Sequence, residues 1–378
     1  MAVPRHAGGD GLDMKIAFRA DASVQIGTGH VMRCLTLADE LTRQGHQCQF
    51  ICREHEGHLG DLIARKGYEL HLLPSPRSTE QQSYNSTENA HADWLGATWQ
   101  LDAEQTLDAL AAQETDWLVV DHYSLDARWE HQVAKAVGRI MVIDDLADRH
   151  HECALLLDQN LGRAESDYNQ LVPKNCARLI GPEYALLRPE FAQLRERSLQ
   201  RRKQPELKRI LISLGGVDQS NVTGQVLGAI AKTSLPADTE MDIIMGASAP
   251  YLEEVRQQAQ ELPFKATVNV NVSDMAERMC LADLSIGAVG STSWERCCLG
   301  LPTIAVVLAD NQRSAAQALN EKGIAIVANG SGMVSNALNR LLLDDFFISN
   351  LTRMTKVGTE MIDGMGRCRV ADKLEIRS

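Results

Sequence analysis

Several things are scarce or missing in this 378-residue chain, and each absence removes a class of function. No run approaches the roughly 18 apolar residues of a membrane-spanning helix, and no segment has the basic, apolar and small-residue order of a signal peptide. The expected location is therefore the cytoplasm. Positive charge is short: 38 Lys and Arg against 50 Asp and Glu leave a net charge of −12, the wrong sign for a duplex-binding surface. A phosphate would have to be bound locally, by backbone amides and helix ends. The nine cysteines are an odd number, and Cys34, Cys280, Cys297 and Cys298 sit in apolar helical patterns. Cys48 and Cys52 have no second Cys/His pair beside them to close a zinc site, so no metal is expected. Walker lysine, HExxH and Gly-x-Ser-x-Gly motifs are all absent, as are repeats of solenoid period.

What is there is a globular composition, 44% hydrophobic and 23% charged, in a chain long enough for two domains. Residues 1–13, with Gly8, Gly9 and Gly11, show no periodicity and read as a disordered leader. Strand-like runs then alternate with helical patterns: Lys15 to Phe18, Gln47 to Cys52, Tyr68 to Leu72, Trp117 to Asp121, Ile140 to Asp144 and Leu155 to Leu157. A second series follows: Ile210 to Leu214, Asp242 to Met245, Ala266 to Val270, Asp283 to Ile286, Thr303 to Val307 and Ile324 to Val327. The alternation predicts two doubly wound parallel-sheet α/β domains, residues 14–190 and 208–378, facing across a cleft. Residues 191–207, rich in Arg and poor in apolar side chains, read as an exposed connection, and the polar stretch Pro74 to Asn89 as a surface loop. Ligands of open parallel sheets bind beyond the carboxyl ends of the strands, which makes the residues just after each strand the candidates.

After the first strand, Asp21 leads through Gly27-Thr28-Gly29 into His30 and a helix with apolar face Val31, Cys34, Leu35, Leu37, Ala38 and Leu41. The glycines permit a tight turn and close approach to a ligand, but the third glycine of a dinucleotide fingerprint is missing, and His30 and Arg33 stand there instead. At the positive end of a helix dipole the protonated imidazole is disfavoured, which suits His30 to act as general base; the alternative is a histidine that caps its own helix. Asp21, on the same loop, is placed to orient the imidazole or the water, or else to bond loop amides. Asp121, after another strand, is either a substrate contact, as Arg33 is also expected to be, or a helix cap, and Asp144 and Asp145 read as structural.

In the second half, Gly215-Gly216 between strand and helix forms a phosphate-approach device with free amides, or a plain turn. Ser291 and Thr292 at a later helix start offer hydroxyls and amides to a diphosphate, and Glu295 one turn on is fit to accept from ribose hydroxyls. A capping box of Thr292 with Glu295 is the structural alternative. Asn311 and Gln312 carry amide groups suited to sugar hydroxyl or acetamido groups.

These stretches resemble a known family, the UDP-2,4-diacetamido-2,4,6-trideoxy-β-L-altropyranose hydrolases of pseudaminic acid biosynthesis. The resemblance is carried by RADASVQIGTGHVMRCLTLA (Arg19 to Ala38), VVDHYSLD (Val119 to Asp126), VIDDLADR (Val142 to Arg149), LLDQN (Leu156 to Asn160), IGPEYALLRPEF (Ile180 to Phe191), ISLGGVDQSN (Ile212 to Asn221) and STSWERCCLGLP (Ser291 to Pro302). It covers the chain from Met14 onward, in order. The resemblance implies a GT-B-like architecture, UDP held by the C-terminal half, His30 in the position that activates the attacking water, and no cofactor. The expected partner is a small-molecule UDP-sugar, with no nucleic acid, membrane or protein partner implied. A glycosyltransferase acting on a lipid or protein acceptor and a nucleotide-sugar-binding protein without turnover are the rival readings.

Overall fold

The computed structural model describes residues 13–75, 90–343 and 347–376. The segment 1–12 of the expected leader and residues 76–89 of the expected surface loop lie outside the described residues. One sheet contains β1 (Lys15–Ala20), β2 (Gln47–Arg53), β3 (Glu69–Leu73), β4 (Trp117–Asp121), β5 (Arg139–Ile143), β6 (Leu155–Asp158) and β7 (Ala177–Ile180), in the order β3-β2-β1-β4-β5-β6-β7. The other contains β8 (Arg209–Ser213), β9 (Glu240–Met245), β10 (Lys265–Val270), β11 (Leu284–Ala288), β12 (Thr303–Val306) and β13 (Ala325–Ala328), in the order β10-β9-β8-β11-β12-β13. Pairing is parallel from β3 through β6 in the first sheet and throughout the second. Central strands such as β4, Trp-Leu-Val-Val-Asp, are buried along their whole length because helices cover both faces.

Each sheet has one point where the strand order reverses, between β1 and β4 in the first and between β8 and β11 in the second. Connections on either side of such a point diverge to opposite faces and leave a crevice at the carboxyl ends of the two strands. The first crevice receives the loop that leads from β1 into α1 (Gly29–Arg43). The second receives Gly215-Gly216 after β8 and the Gly287 to Ser291 segment before α4 (Thr292–Cys298). α1 buries the apolar stripe expected of it, Val31, Cys34, Leu35, Leu37, Ala38 and Leu41, and Gly45, at φ +105°, ends the helical run. Phe18 and Phe50, cross-strand partners on β1 and β2, stack at 4.9 Å within the first core.

Contacts divide the chain into two compact units. One comprises Met1–Asp158, Glu165–Leu179 and Ala371–Ser378; the other comprises Gln159–Ala164 and Ile180–Val370. This differs from the expected division in two places. The segment expected to be an exposed connection is largely a helix, α2 (Pro189–Arg201), that belongs to the second unit. Two arginines of the segment are spent on main-chain carbonyls, Arg195 donating to Cys298, Thr359 and Ile362 and Arg202 to Met279, Ala282 and Leu299, all at 2.7 to 2.8 Å, while Arg197 and Arg201 pair with Glu277 and Asp283. Several of these carbonyls end helices, where the backbone is short of donors and carries partial negative charge. The last residues count with the first unit, where Trp117 Nε1 donates to the Leu374 carbonyl at 3.1 Å and His46 meets Glu375 at 3.0 Å. Among the described residues no helix is long and apolar enough to cross a membrane.

Candidate active site

Strand register decides which aspartate reaches His30. Ala20 of β1 lies level with Asp121 of β4, so the two project to the same face of the sheet, and Asp21, one residue on, projects to the other. α1 covers the Asp121 face. His30 Nδ1 stands 2.6 Å from Asp121 Oδ1, while Arg33 Nε reaches Oδ2 at 2.6 Å and Arg33 Nη2 reaches Oδ1 at 2.7 Å. With Nδ1–H donated to the carboxylate, the Nε2 lone pair of neutral His30 is left free to accept a proton. Burial by itself would raise the Asp121 carboxyl, but the Arg33 guanidinium and His30 outweigh it and hold it well below the usual carboxylate range. Arg33 also bonds Asp145 at 2.7 Å, and Asp145 accepts from the Tyr123 hydroxyl at 2.7 Å. The Tyr123 ring meets His30 edge-on at 4.6 Å and stacks on Trp94 at 5.8 Å, with His91 4.5 Å from Trp94.

Asp21 is thus not the residue that orients His30. It shares the opposite face with Arg19 and Arg53, accepts two bonds from Arg19 at 2.6 and 2.9 Å, and takes the Arg53 amide at 2.6 Å. Asp102 completes this buried cluster, bonded to Arg19 and Arg53 at 2.6 Å each. Arg33 and Asp121, expected to touch substrate, bond each other, and Asp121 also bonds His30. Asp145, read as structural, belongs to this constellation, whereas Asp144 bonds Arg149 at 2.8 Å and accepts from the buried Tyr168 hydroxyl at 2.9 Å. His30 does not cap its helix; the N-cap is Thr28, and its side chain makes no capping bond. Gly27, at φ +80°, closes the turn, and a side chain at Gly27 or Gly29 would meet no atom within 4 Å, so this loop presents open backbone.

In the second unit the two glycine-bearing loops differ. After Gly215 (φ +110°) and Gly216, the start of α3 (Val222–Ile230) is already occupied: Asp218 accepts from the Val222 and Thr223 amides at 2.8 Å each, and Asn221 from Gly224 at 3.1 Å. The free amides expected there are therefore taken by the chain's own carboxylate. Gly215 and Gly216 still offer unobstructed backbone, with no atom within 4 Å of an added Cβ. At α4 the N-cap Ser291 makes no side-chain capping bond, and the Thr292–Glu295 capping box is not formed. Glu295 instead lies 3.6 Å from Arg188; burial raises its carboxyl pKa, and Arg188 and Arg296 oppose that only in part. Gln312 turns back to accept from the Leu308 amide at 2.8 Å, and the side chain of Asn311 lies outside the described ones.

Two doubly wound units of this strand order, each with candidate groups at its switch point, define a GT-B-type α/β protein. Residues 210–360 match the model of the glycosyltransferase family 28 C-terminal domain. The chain is similar to the UDP-2,4-diacetamido-2,4,6-trideoxy-β-L-altropyranose hydrolase of Campylobacter jejuni, 28% identical over 313 residues that span 82% of this chain and 97% of that one. It is also similar to the spore coat polysaccharide biosynthesis protein SpsG of Bacillus subtilis, 28% identical over 206 residues, 52% of this chain and 57% of that one. Among solved structures, MurG of Acinetobacter baumannii superposes with a TM-score of 0.69 at 15% identity, covering 96% of this chain and 99% of its own. That likeness establishes the fold, and the resemblance read from the sequence agrees with the hydrolase relative.

Proposed function

We propose that this protein hydrolyses a UDP-linked 2,4-diacetamido-2,4,6-trideoxy sugar, the altropyranose named for its Campylobacter relative, in pseudaminic acid biosynthesis. The observation that carries the reading is the His30–Asp121 pair at 2.6 Å, which fixes the imidazole with Nε2 free to accept a proton. In the proposed step a water oxygen attacks the anomeric carbon as Nε2 takes its proton. The bond from that carbon to the β-phosphate oxygen breaks, and its electrons leave with UDP. A single displacement inverts the anomeric centre. Asp121 stabilises the imidazolium that forms, and Arg33, bridging Asp121 and Asp145, keeps the carboxylate in place. Ser291 and Thr292 are assigned to the diphosphate, Glu295 to the ribose diol, and Gly215 and Gly216 to close backbone approach. No cofactor is assigned, and location in the cytoplasm is part of the proposal.

A transferase is the second reading, favoured by the family 28 match over residues 210–360. The two separate on one assay: UDP release from a panel of UDP-amino sugars by purified protein, with EDTA and no acceptor, for wild type and His30→Ala. Selective release from the diacetamido-trideoxy sugar, lost in the variant while UDP still binds, is expected. Release only after addition of a lipid or protein acceptor would replace the hydrolase with the transferase.

A further inference from the structure

Arg296 is 2% exposed and lies on α4, where Cα–Cβ bonds tilt toward the helix N-terminus. Its guanidinium therefore sits beneath the loop that precedes the helix. Nη2 donates to the Ala288 carbonyl at 2.8 Å and to Ser293 Oγ at 3.1 Å, and Nη1 reaches Thr292 Oγ1 at 3.4 Å. A Cβ on Gly287 would fall 2.2 Å from Nη1, so glycine is what lets the cation in. Nε is buried without a hydrogen-bond partner. Among the described residues no carboxylate forms an ion pair with Arg296, and its neighbour Glu295 is turned to Arg188.

Arg202 shows what a compensated buried arginine looks like in the same unit. Each of its three nitrogens donates to a carbonyl, those of Met279, Ala282 and Leu299, at or beyond the negative ends of helices. Arg296 has the reverse setting, a positive group at the positive end of its own helix. Burial draws its pKa down to about 10, opposed by Cys297 and Glu295, which still leaves a cation at neutral pH. A buried charge that lacks an ion-pair partner destabilises the fold, and the arrival of an anion offsets that cost. On the outer side of the loop, Gly290 and Ser291 are exposed, and nothing lies within 4 Å of a Cβ added to Gly290.

We propose that Arg296 is a positioning residue for a diphosphate: from beneath Gly287 to Thr292 it supplies the fixed positive charge that draws the phosphates of a nucleoside diphosphate onto the loop. It does so without touching the ligand. The nucleoside part of this statement rests on the UDP reading above; the diphosphate part does not.

The test is calorimetric titration of the full chain with inorganic pyrophosphate, UDP and uridine, for wild type, Arg296→Met and Arg296→Lys, with thermal melting of each in parallel. Arg296→Met is expected to weaken pyrophosphate and UDP by about tenfold or more, while uridine binding stays unchanged. It should also melt no lower than wild type without ligand and lose the pyrophosphate-induced rise in Tm. Arg296→Lys, which keeps the charge, should retain pyrophosphate binding to within about threefold. Wild type that binds pyrophosphate but not UDP would end the nucleotide reading and leave this inference standing. Wild type that binds neither, Arg296→Met that binds pyrophosphate like wild type, or a well-folded Arg296→Lys that loses it would overturn the inference.

Discussion

Asp121 carries more of the site than any other single side chain, because both its oxygens are committed: one to His30 and Arg33, the other to Arg33 and, at 3.7 Å, to the Cys34 thiol. Asp121→Asn keeps the shape but replaces an acceptor oxygen with a donor, so His30 loses its orientation. The expected outcome is a fall in kcat of roughly 100-fold or more with UDP affinity unchanged, read from steady-state UDP release and a binding titration. Equal loss of both would contradict the assignment. Glu295→Ala is expected to raise KM through lost ribose contacts; a fall in kcat alone would contradict that role. At this scale the sequence was legible in part. His30 stood out because it directly follows a glycine loop at the start of a helix. Asp21 was ranked above Asp121 as the partner of His30 because it shares the loop, although both follow strands that meet at the switch point. Only the level of Ala20 with Asp121 tells which side of the sheet each one faces. Arg296 gave no signal, because burial and lack of a counter-ion are properties of packing.

The strands were readable because central parallel strands are apolar throughout. β7, Ala-Arg-Leu-Ile, was missed: it has four residues, lies at the edge of its sheet and buries fully only Leu179. α2 was misread as a linker because composition registers charge and not the carbonyls that receive it. A consequence follows for stability. Arg202→Ala removes three hydrogen bonds to buried carbonyls, of which Leu299 keeps the one from Ser198 Oγ and Ala282 a longer one from Arg201, and is expected to cost about 3 kcal/mol, seen as a lower denaturation midpoint with an unchanged slope. Replacing the exposed Lys203 nearby should change little. α3 is a further case of neighbouring residues overriding a pattern: Gly-Gly before a helix suggests an anion site, yet Asp218 three residues into the loop fills it.

Four buried aspartates set how the whole molecule meets acid. Burial alone would raise Asp21, Asp102, Asp121 and Asp144, but Arg19 leads the opposition at Asp21 and, ahead of Arg53, at Asp102, as Arg33 does at Asp121 and Arg149 at Asp144, and all four are held below their ordinary values. A carboxyl depressed on folding contributes stability that is fully present above its unfolded pKa of about 3.9 and is lost as pH falls toward its folded value. Melting temperature should therefore be flat down to about pH 5 and drop steeply below about pH 4; a loss that began near neutrality would point to other groups. The two-sheet organisation was legible from the alternation of strands and helices. The return of Ala371–Ser378 to the first unit was not, since it depends on Trp117 finding a carbonyl 257 residues away. Of the five tryptophans, Trp117, Trp129 and Trp294 are buried and Trp99 lies under Arg128, while Trp94 stands half-exposed against the Tyr123 ring that meets His30. Indole emission answers to its surroundings, so the protein carries a native optical reporter beside its proposed base, and a sugar arriving there would announce itself in the fluorescence spectrum with no label attached.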